Sequence, residues 1–275
     1  MSCSLSCSGI LLPTRRQRGC SVFLYFLERV KQTLDSTIAI IADIHGNRWA
    51  LEAILADIDR RHITQIVNLG DSLLGPVDPV GTADLLIARN IPAIRGNDDR
   101  VLLAPPEQPS ASQIFTRARL TEVHLAWLRA LPTTAIVADE LFLCHGTPTS
   151  DETYLLEEVS VSGIALKNNA DIRVLLANVT QPVVLCGHSH LSHTVYLSDG
   201  TLVVNPGSVG LPAYVDDGGV IEAGSPHACY VLLTKTEHGW RVEHIALPYD
   251  WEEAASAARG HNRPDWATWV ATGRV

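Results

Sequence analysis

A chain of 275 residues, 46% of them hydrophobic, is long enough to bury a large core in one or two domains, and an α/β fold of this size often forms one. A formal net charge of -9 and a pI near 5.6 argue against an extended nucleic-acid duplex as partner, because that binding needs a basic stripe. A small anionic substrate stays compatible, since bound metal ions reverse the field locally. The apolar stretches are strand-sized, so no membrane-spanning helix and no membrane partner are expected.

Residues 1–34 stand apart. Arg15, Arg16 and Arg18 precede the apolar run VFLYFL, and Glu28, Arg29 and Lys31 follow it at once. A secretory signal would carry a longer apolar region and a small-residue cleavage site. The segment reads instead as a poorly ordered N-terminal extension, either an upstream start or a loosely packed helix, ahead of a folded domain at 35–275. Cys3, Cys7 and Cys20 lie in it. Cys144, Cys186 and Cys229 lie in apolar runs without a CxxC pair, as buried thiols of a reducing, cytoplasmic compartment.

From Thr37 the pattern becomes regular. TIAIIAD predicts a buried strand ending at Asp43, and residues 47–60 a helix with Trp49, Leu51, Ile54, Leu55 and Ile58 at helical spacing. ITQIVNLGD predicts a strand ending at Asp71, DPVGTADLLIARN a helix, and IPAIRGN a third strand ending at Asn97. This order implies a parallel sheet with right-handed crossovers, whose ligands collect beyond the carboxyl ends of the strands. Residues 104–113 read as a proline- and serine-rich loop and 120–131 as a helix. TTAIVAD and ELFLCHG form a strand pair turned at Asp139 and Glu140, which delivers His145. Residues 154–178 read as helical, in one or two pieces. PVVLCGHSH is a strand ending in His188 and His190. HTVYLS, TLVVNPGS, ACYVLLTK and WRVEHIAL are antiparallel runs with turns at Asp199-Gly200 and His238-Gly239. The carboxyl end is helical and carries Trp251, Trp266 and Trp269. Two β-rich halves flanked by helices suggest two sheets packed face to face, with the ligands on loops at one edge.

Seven potential metal ligands therefore fall where predicted strands run out: Asp43 and His45, Asp71, Asn97, His145, His188 and His190. Each short motif is weak alone. As a set, Asp-x-His, Gly-Asp, Gly-Asn-Asp, His-Gly and Gly-His-x-His, with NPGSVGLP and a tail of Tyr249-Asp250 and a helix ending at Gly273-Arg274, resembles the calcineurin-like metallophosphoesterases over roughly residues 37–250. The nearest form is their small prokaryotic phosphodiesterase branch. The resemblance implies a four-layer αββα sandwich of two mixed β-sheets flanked by helices, and a dinuclear metal site. One ion would take Asp43, His45 and His190, the other Asn97, His145 and His188, and Asp71 would bridge them. Carboxylate and imidazole together suit two divalent ions, manganese first, with iron, cobalt, nickel or zinc as alternatives. Two such ions outweigh two carboxylates and leave the site positive, able to hold a bridging hydroxide as nucleophile and a phosphate oxyanion.

Asp71, Asn97, Asp98 and His145 are the residues expected to act in catalysis. Many large phosphatases of the superfamily place a histidine where Asp98 stands, to help the leaving group depart. An aspartate near two cations is ionised and a poor acid. Phosphodiesters and nucleoside polyphosphates whose leaving groups need little protonation are therefore the expected substrates.

Several residues carry a bland reading beside the sharp one. Arg48 and Arg95 contact phosphate or lie at the surface. His193 reads as an outer or solvent position and His124 as a surface residue on a helix. Asn47 bonds supporting groups or substrate, and Asn205 and Ser208 brace the histidines or merely form a turn. The C-terminal tryptophans dock a helix on the sandwich or make a dimer contact, so a homo-oligomer stays open. The leading expectation is a hydrolase that cleaves phosphodiesters of a small phosphorylated substrate. The alternatives are a phosphatase for phosphoproteins or diadenosine polyphosphates, and a non-catalytic scaffold of the same fold.

Overall fold

The apolar run behind Asp43 forms β1 (Thr37–Ile41), buried on both faces. Ala39 and Ile41 face helices, while Ile38 and Ile40 face a second sheet. A strand in that position reads as a continuous hydrophobic run rather than an alternating one. The computed structural model describes residues 37–160, 163–216 and 218–275, so the extension at 1–34 and its three cysteines lie outside the described residues.

β1 pairs in parallel with β2 (Gln65–Asn68) and antiparallel with β12 (Ala228–Thr236), which in turn pairs with β13 (Gly239–Leu247). The sheet order is β13-β12-β1-β2. The expected third strand shrinks to a single parallel bridge between Asn68 and Ala93. Pro92 beside it has no N–H to extend a ladder, which confines such a segment to the sheet edge. The second sheet has the order β3-β4-β7-β9-β8, built from β3 (Thr134–Val137), β4 (Leu141–Cys144), β7 (Val183–Leu185), β8 (Ser192–Tyr196) and β9 (Leu202–Pro206). Its central strands β4, β7 and β9 run parallel, and its outer strands antiparallel.

On the outer face of the first sheet lie α1 (Arg48–Arg60), α2 (Pro79–Arg89), α3 (Asn97–Leu103), α4 (Ala111–Arg119), α5 (Glu122–Ala130), α7 (Trp251–Gly260) and α8 (Pro264–Thr272). The outer face of the second sheet is covered by α6 (Asn169–Leu176), through Ile172 and Leu176. Between the sheets, Ile38, Ile40, Val231 and Leu233 meet Leu141, Leu143, Val183 and Leu185. The layers are thus helix, sheet, sheet, helix, as expected. The two sheets are not two halves of the chain, however, because β12 and β13 return to complete the first.

Two segments differ from the sequence reading. Residues 154–178 begin with a hairpin of β5 (Glu157–Ser160) and β6 (Gly163–Leu166), and only α6 is helical. The hairpin is mostly exposed, so no burial periodicity marked it. The loop at 104–113 ends at Ser110, which caps α4 through the Gln113 backbone N–H while the Gln113 side chain returns to the Ser110 N–H. That Ser-x-x-Gln pattern is a capping box legible in the sequence. A further hairpin, β10 (Ala213–Asp216) and β11 (Gly219–Glu222), follows the NPGSVGLP stretch. Cys144 and Cys186 are buried free thiols, and Cys229 is a half-buried one. Among the described residues no helix is long and apolar enough to cross a membrane.

One buried polar contact ties α1 to β12. Tyr230 Oη donates to Asp57 at 2.6 Å, and Arg61 and Arg60 donate to the same carboxylate at 2.7 and 3.0 Å. Burial alone would raise the Asp57 carboxyl, but these donors outweigh it and hold it below the usual range. Tyr230→Phe is expected to cost about 1.5–3 kcal/mol, the range for a hydrogen bond to a charged group. A carboxyl whose folded pKa is depressed stabilises above its unfolded value of about 3.9 and loses that contribution as pH falls through the folded value. The gap between wild type and Tyr230→Phe in urea melts should therefore narrow below about pH 4; a gap independent of pH would contradict the assignment.

Candidate metal centre

The parallel strands of both sheets end at one edge, and the seven expected residues meet there. Asp43 and His45 follow β1, Asp71 follows β2, Asn97 opens α3, His145 follows β4, and His188 and His190 follow β7. Five of them adopt left-handed backbone: Asp43 (φ 56°), His45 (51°), Asp71 (52°), His188 (72°) and His190 (60°). That conformation costs an L-residue roughly 1–2 kcal/mol. Each turn is held by backbone bonds from a neighbouring strand end, with Asp43 N–H on Gly70 O (3.0 Å), His45 N–H on Asp71 O (3.0 Å) and Gly187 N–H on His145 O (2.8 Å). Gly96 is required for close approach, since a Cβ there would strike the Asp71 carboxylate and backbone N.

The ring nitrogens point to cations. Nδ1 of His45, His145 and His190 each faces a backbone carbonyl, of Leu74 (3.0 Å), Leu69 (2.8 Å) and Leu211 (2.5 Å), and so carries the hydrogen. In the neutral ring Nε2 is then a bare lone pair. Yet Nε2 of His45 and His190 face each other at 3.1 Å. His188 is reversed, with Nε2 on Glu152 O at 3.0 Å, which turns Nδ1 inward. The Asn97 side-chain oxygen likewise meets acceptors, at 3.0 Å from His145 Nε2, 3.1 Å from His188 Nδ1 and 3.3 Å from Asp71 Oδ2. Without a cation the amide nitrogen belongs there; with one, the oxygen is the correct atom. Ligand atoms of Asp43, His45 and His190 lie within 4.8 Å of one another, as do those of Asp71, His145 and His188. His45, Asp71 and Asp98 form a third group across the two. Lone pairs converging in a buried space, from imidazole and carboxylate donors, fit divalent ions.

Three of the four rings are neutral, and the fourth, His145, carries a second proton as long as only the carboxylates face it. Burial holds His45 and His190 below the ordinary histidine value and His188 down at about 4, so these rings are neutral. Burial would lower His145 too, but the Asp71 and Asp43 carboxylates push it up to about 10. Burial would raise Asp71, and His145 at 3.1 Å instead holds it low. Asp43 is raised by burial.

Groups behind the seven fix their positions. Asp99 is fully buried, where it accepts from Ser72 N–H (3.0 Å) and Gly96 N–H (3.2 Å), and so ties the Asp71 turn to the start of α3. Burial and neighbouring Asp71 raise it to about 7. The Asp98 backbone N–H donates to Asp71 Oδ1 at 2.9 Å, while its carboxylate lies 3.5 Å from His45 Nδ1. Arg100 grips Asp151 and Glu152, whose carbonyl orients His188. Asn205 donates to Gly187 O (2.8 Å) and Ser189 Oγ (3.0 Å), and Ser208 donates to Asp43 O (2.7 Å); both brace the turns that carry ligands. Asn47 caps α1 and donates to Gly210 O and Tyr249 Oη.

Other candidates lie elsewhere. Arg48 pairs with Glu52 and Asp78 on α1. Arg95 is half-buried and does not line the pocket described next. His193 reaches Glu157 at 3.6 Å. His124 is on a helix as expected but is buried, bonded to Asp84 and to the Thr121 N–H.

A pocket of about 530 Å³ opens over the cluster, with His45, Asp71, Asn97, Asp98, His188 and His190 at its floor. Its walls are Tyr154, Tyr214 and Asp216, then Ser110, Ser112 and Gln113 at the start of α4, and a part that was not foreseen, Arg263, Trp266 and Trp269 from the C-terminal helices. The sequence profile of the calcineurin-like phosphoesterase superfamily domain matches residues 37–234. The chain belongs to this superfamily. The superfamily member resembles the uncharacterized protein MJ0912 of Methanocaldococcus jannaschii, with 25% identity over 84% of this chain and 95% of that one. It shares its fold with a metallophosphoesterase from Sphaerobacter thermophilus (22% identity, 87% of this chain, all of that one, TM-score 0.68). The hypothetical protein PH1004 of Pyrococcus horikoshii OT3 has the same fold (20% identity, 86% and 98% covered, TM-score 0.67).

Asn205→Ala leaves all seven inward-facing groups in place and frees only their support. Loss of such a partner typically lowers metal affinity about 10–100-fold. Competition with a chromophoric chelator should show that loss for manganese or zinc, with the far-ultraviolet circular dichroism unchanged. Affinity equal to wild type would mean that the GHSH turn holds itself.

Proposed function

We propose that residues 35–275 of this phosphoesterase act as a two-metal hydrolase that cleaves phosphodiesters. In this proposal Asp43, His45 and His190 hold one divalent ion, Asn97, His145 and His188 hold the second, and Asp71 bridges them. Manganese is the first choice, with iron, cobalt, nickel or zinc as alternatives. When bound, such ions neutralise phosphoryl oxygens and bring the pKa of a water towards neutrality.

The protein's own groups supply orientation. Carbonyls of Leu74, Leu69, Leu211 and Glu152 hold the four imidazoles in the tautomer that aims a lone pair inward. The Asp98 N–H steadies Asp71. The imidazoles lining the pocket, His45, His188 and His190, are all assigned to metal, so none is left to protonate a leaving group.

The preference for diesters is carried by one observation. Among the described residues lining the pocket the only basic side chain besides histidine is Arg263, and Asp265 already holds it through both carboxylate oxygens, at 2.6 Å to Nη2 and 2.9 Å to Nε. Two carboxyl groups, Asp98 and Asp216, line it as well; where no cation offsets them, burial and neighbouring Asp71 raise Asp98 well above the usual carboxylate range. A monoester dianion needs more free positive charge there than a diester monoanion does.

Metal-loaded protein is expected to hydrolyse bis-p-nitrophenyl phosphate faster than p-nitrophenyl phosphate, and to lose turnover with chelator. Asp71→Asn should lose at least the roughly 100-fold that outer partners of metal ligands command. Across aryl diesters, rates should fall steeply as the leaving-group pKa rises, since no acid assists departure. Turnover that survives chelation or Asp71→Asn would refute the metal mechanism. A metal-loaded protein without turnover on any ester would favour the scaffold reading.

A further inference from the structure

The pocket, at about 530 Å³, is larger than a phosphoryl group needs, and one of its walls is aromatic. Arg263, Trp266 and Trp269 are spaced three residues apart and line the pocket from one side of the α7–α8 turn and α8. Trp266 is almost fully buried and meets the His45 ring edge-on at 6.1 Å between centroids. Trp269 packs beside it at 5.9 Å and is only half-buried, so part of its indole remains open to the pocket.

The wall is built rather than incidental. The Arg263 guanidinium sits 5.6 Å from the Trp266 ring centroid, is held by Asp265, and donates through Nη1 to the buried Ser112 hydroxyl at the start of α4. Gly273 closes α8 in the left-handed conformation that glycine tolerates, and its carbonyl accepts from Gly224 N–H at 2.9 Å. Both ends of α8 are thereby anchored, and the open part of the Trp269 indole is held in a fixed position. A rigid aromatic surface beside a phosphoester floor is the arrangement that stacks a nucleobase, and stacking tolerates any base because every base has a π-face.

Resting on the diesterase reading above, we infer that the pocket takes nucleoside phosphodiesters, with the phosphoryl group at the strand-end cluster and the nucleobase against the open part of Trp269, which the buried Trp266 backs. Thymidine 5′-p-nitrophenyl phosphate and ethyl p-nitrophenyl phosphate share one leaving group and one negative charge and differ in the group the wall would meet. The full metal-loaded chain should show a KM lower for the thymidine ester by about ten-fold, the scale of one base–aromatic stack. Trp269→Ala should bring the KM ratio near one, and Trp269→Phe should keep most of it; a ratio within one preparation is insensitive to loss of folded protein. A wild-type ratio near one, or a ratio unmoved by Trp269→Ala, overturns the inference. Binding judges the wall separately from turnover. Quenching of tryptophan fluorescence should give tighter binding of thymidine 5′-monophosphate than of ribose 5-phosphate, and equal affinities overturn the inference. Absence of turnover on both esters, with that difference in binding intact, would refute the hydrolase reading and leave the nucleotide site standing.

Discussion

Lone pairs turned toward one another in a buried space are the constraint to which the rest of the fold answers. Two imidazole nitrogens 3.1 Å apart, and an amide oxygen 3.1 Å from the bare nitrogen of His188, repel unless positive charge lies between them. The surrounding chain keeps them there. Carbonyls fix each ring from behind, two sheets place five parallel strand ends at one edge, and five residues remain in backbone conformations that L-amino acids avoid. Strain concentrated at a cluster of potential ligands is the pattern expected where function dictates geometry.

Much of this was legible in the sequence, for reasons that differ between elements. β1 and the strand ending in GHSH are buried on both faces, so their apolar runs are unambiguous and the polar residue that ends each stands out. The exposed β5–β6 hairpin had no such contrast and read as helix. The NPGSVGLP stretch was placed beside the site correctly, because its polar residues brace turns 16 to 165 positions away through hydrogen bonds. Asp99 went unread as a support: its role depends on two backbone amides brought to it by separate loops. The Ser110 cap was a local signal that could have been found.

The C-terminal wall of the pocket was the least legible part. A tryptophan on an amphipathic helix looks the same whether it is only core or also faces a cavity, and Trp266 does both. Arg263 gave no sign of its place because it opens a helix without a side-chain cap of its own. Membership in the calcineurin-like superfamily explains the floor of the pocket. Arg263, Trp266 and Trp269 lie beyond the segment that the superfamily profile matches, so the profile says nothing of that wall.

The pairing of β1 with β12 has a consequence for biogenesis. Thr37 meets Thr234 across 197 positions, and Asn47 meets Tyr249 across 202. Contacts this distant form slowly, because a long loop must close before they stabilise anything. During synthesis Asp43 and His45 emerge long before His188 and His190, and β1 waits longer still for β12, so a half-made chain holds no finished cluster of potential ligands. The complete cluster therefore belongs to a late stage of maturation, after the chain has passed the GHSH turn and β12 has closed on β1.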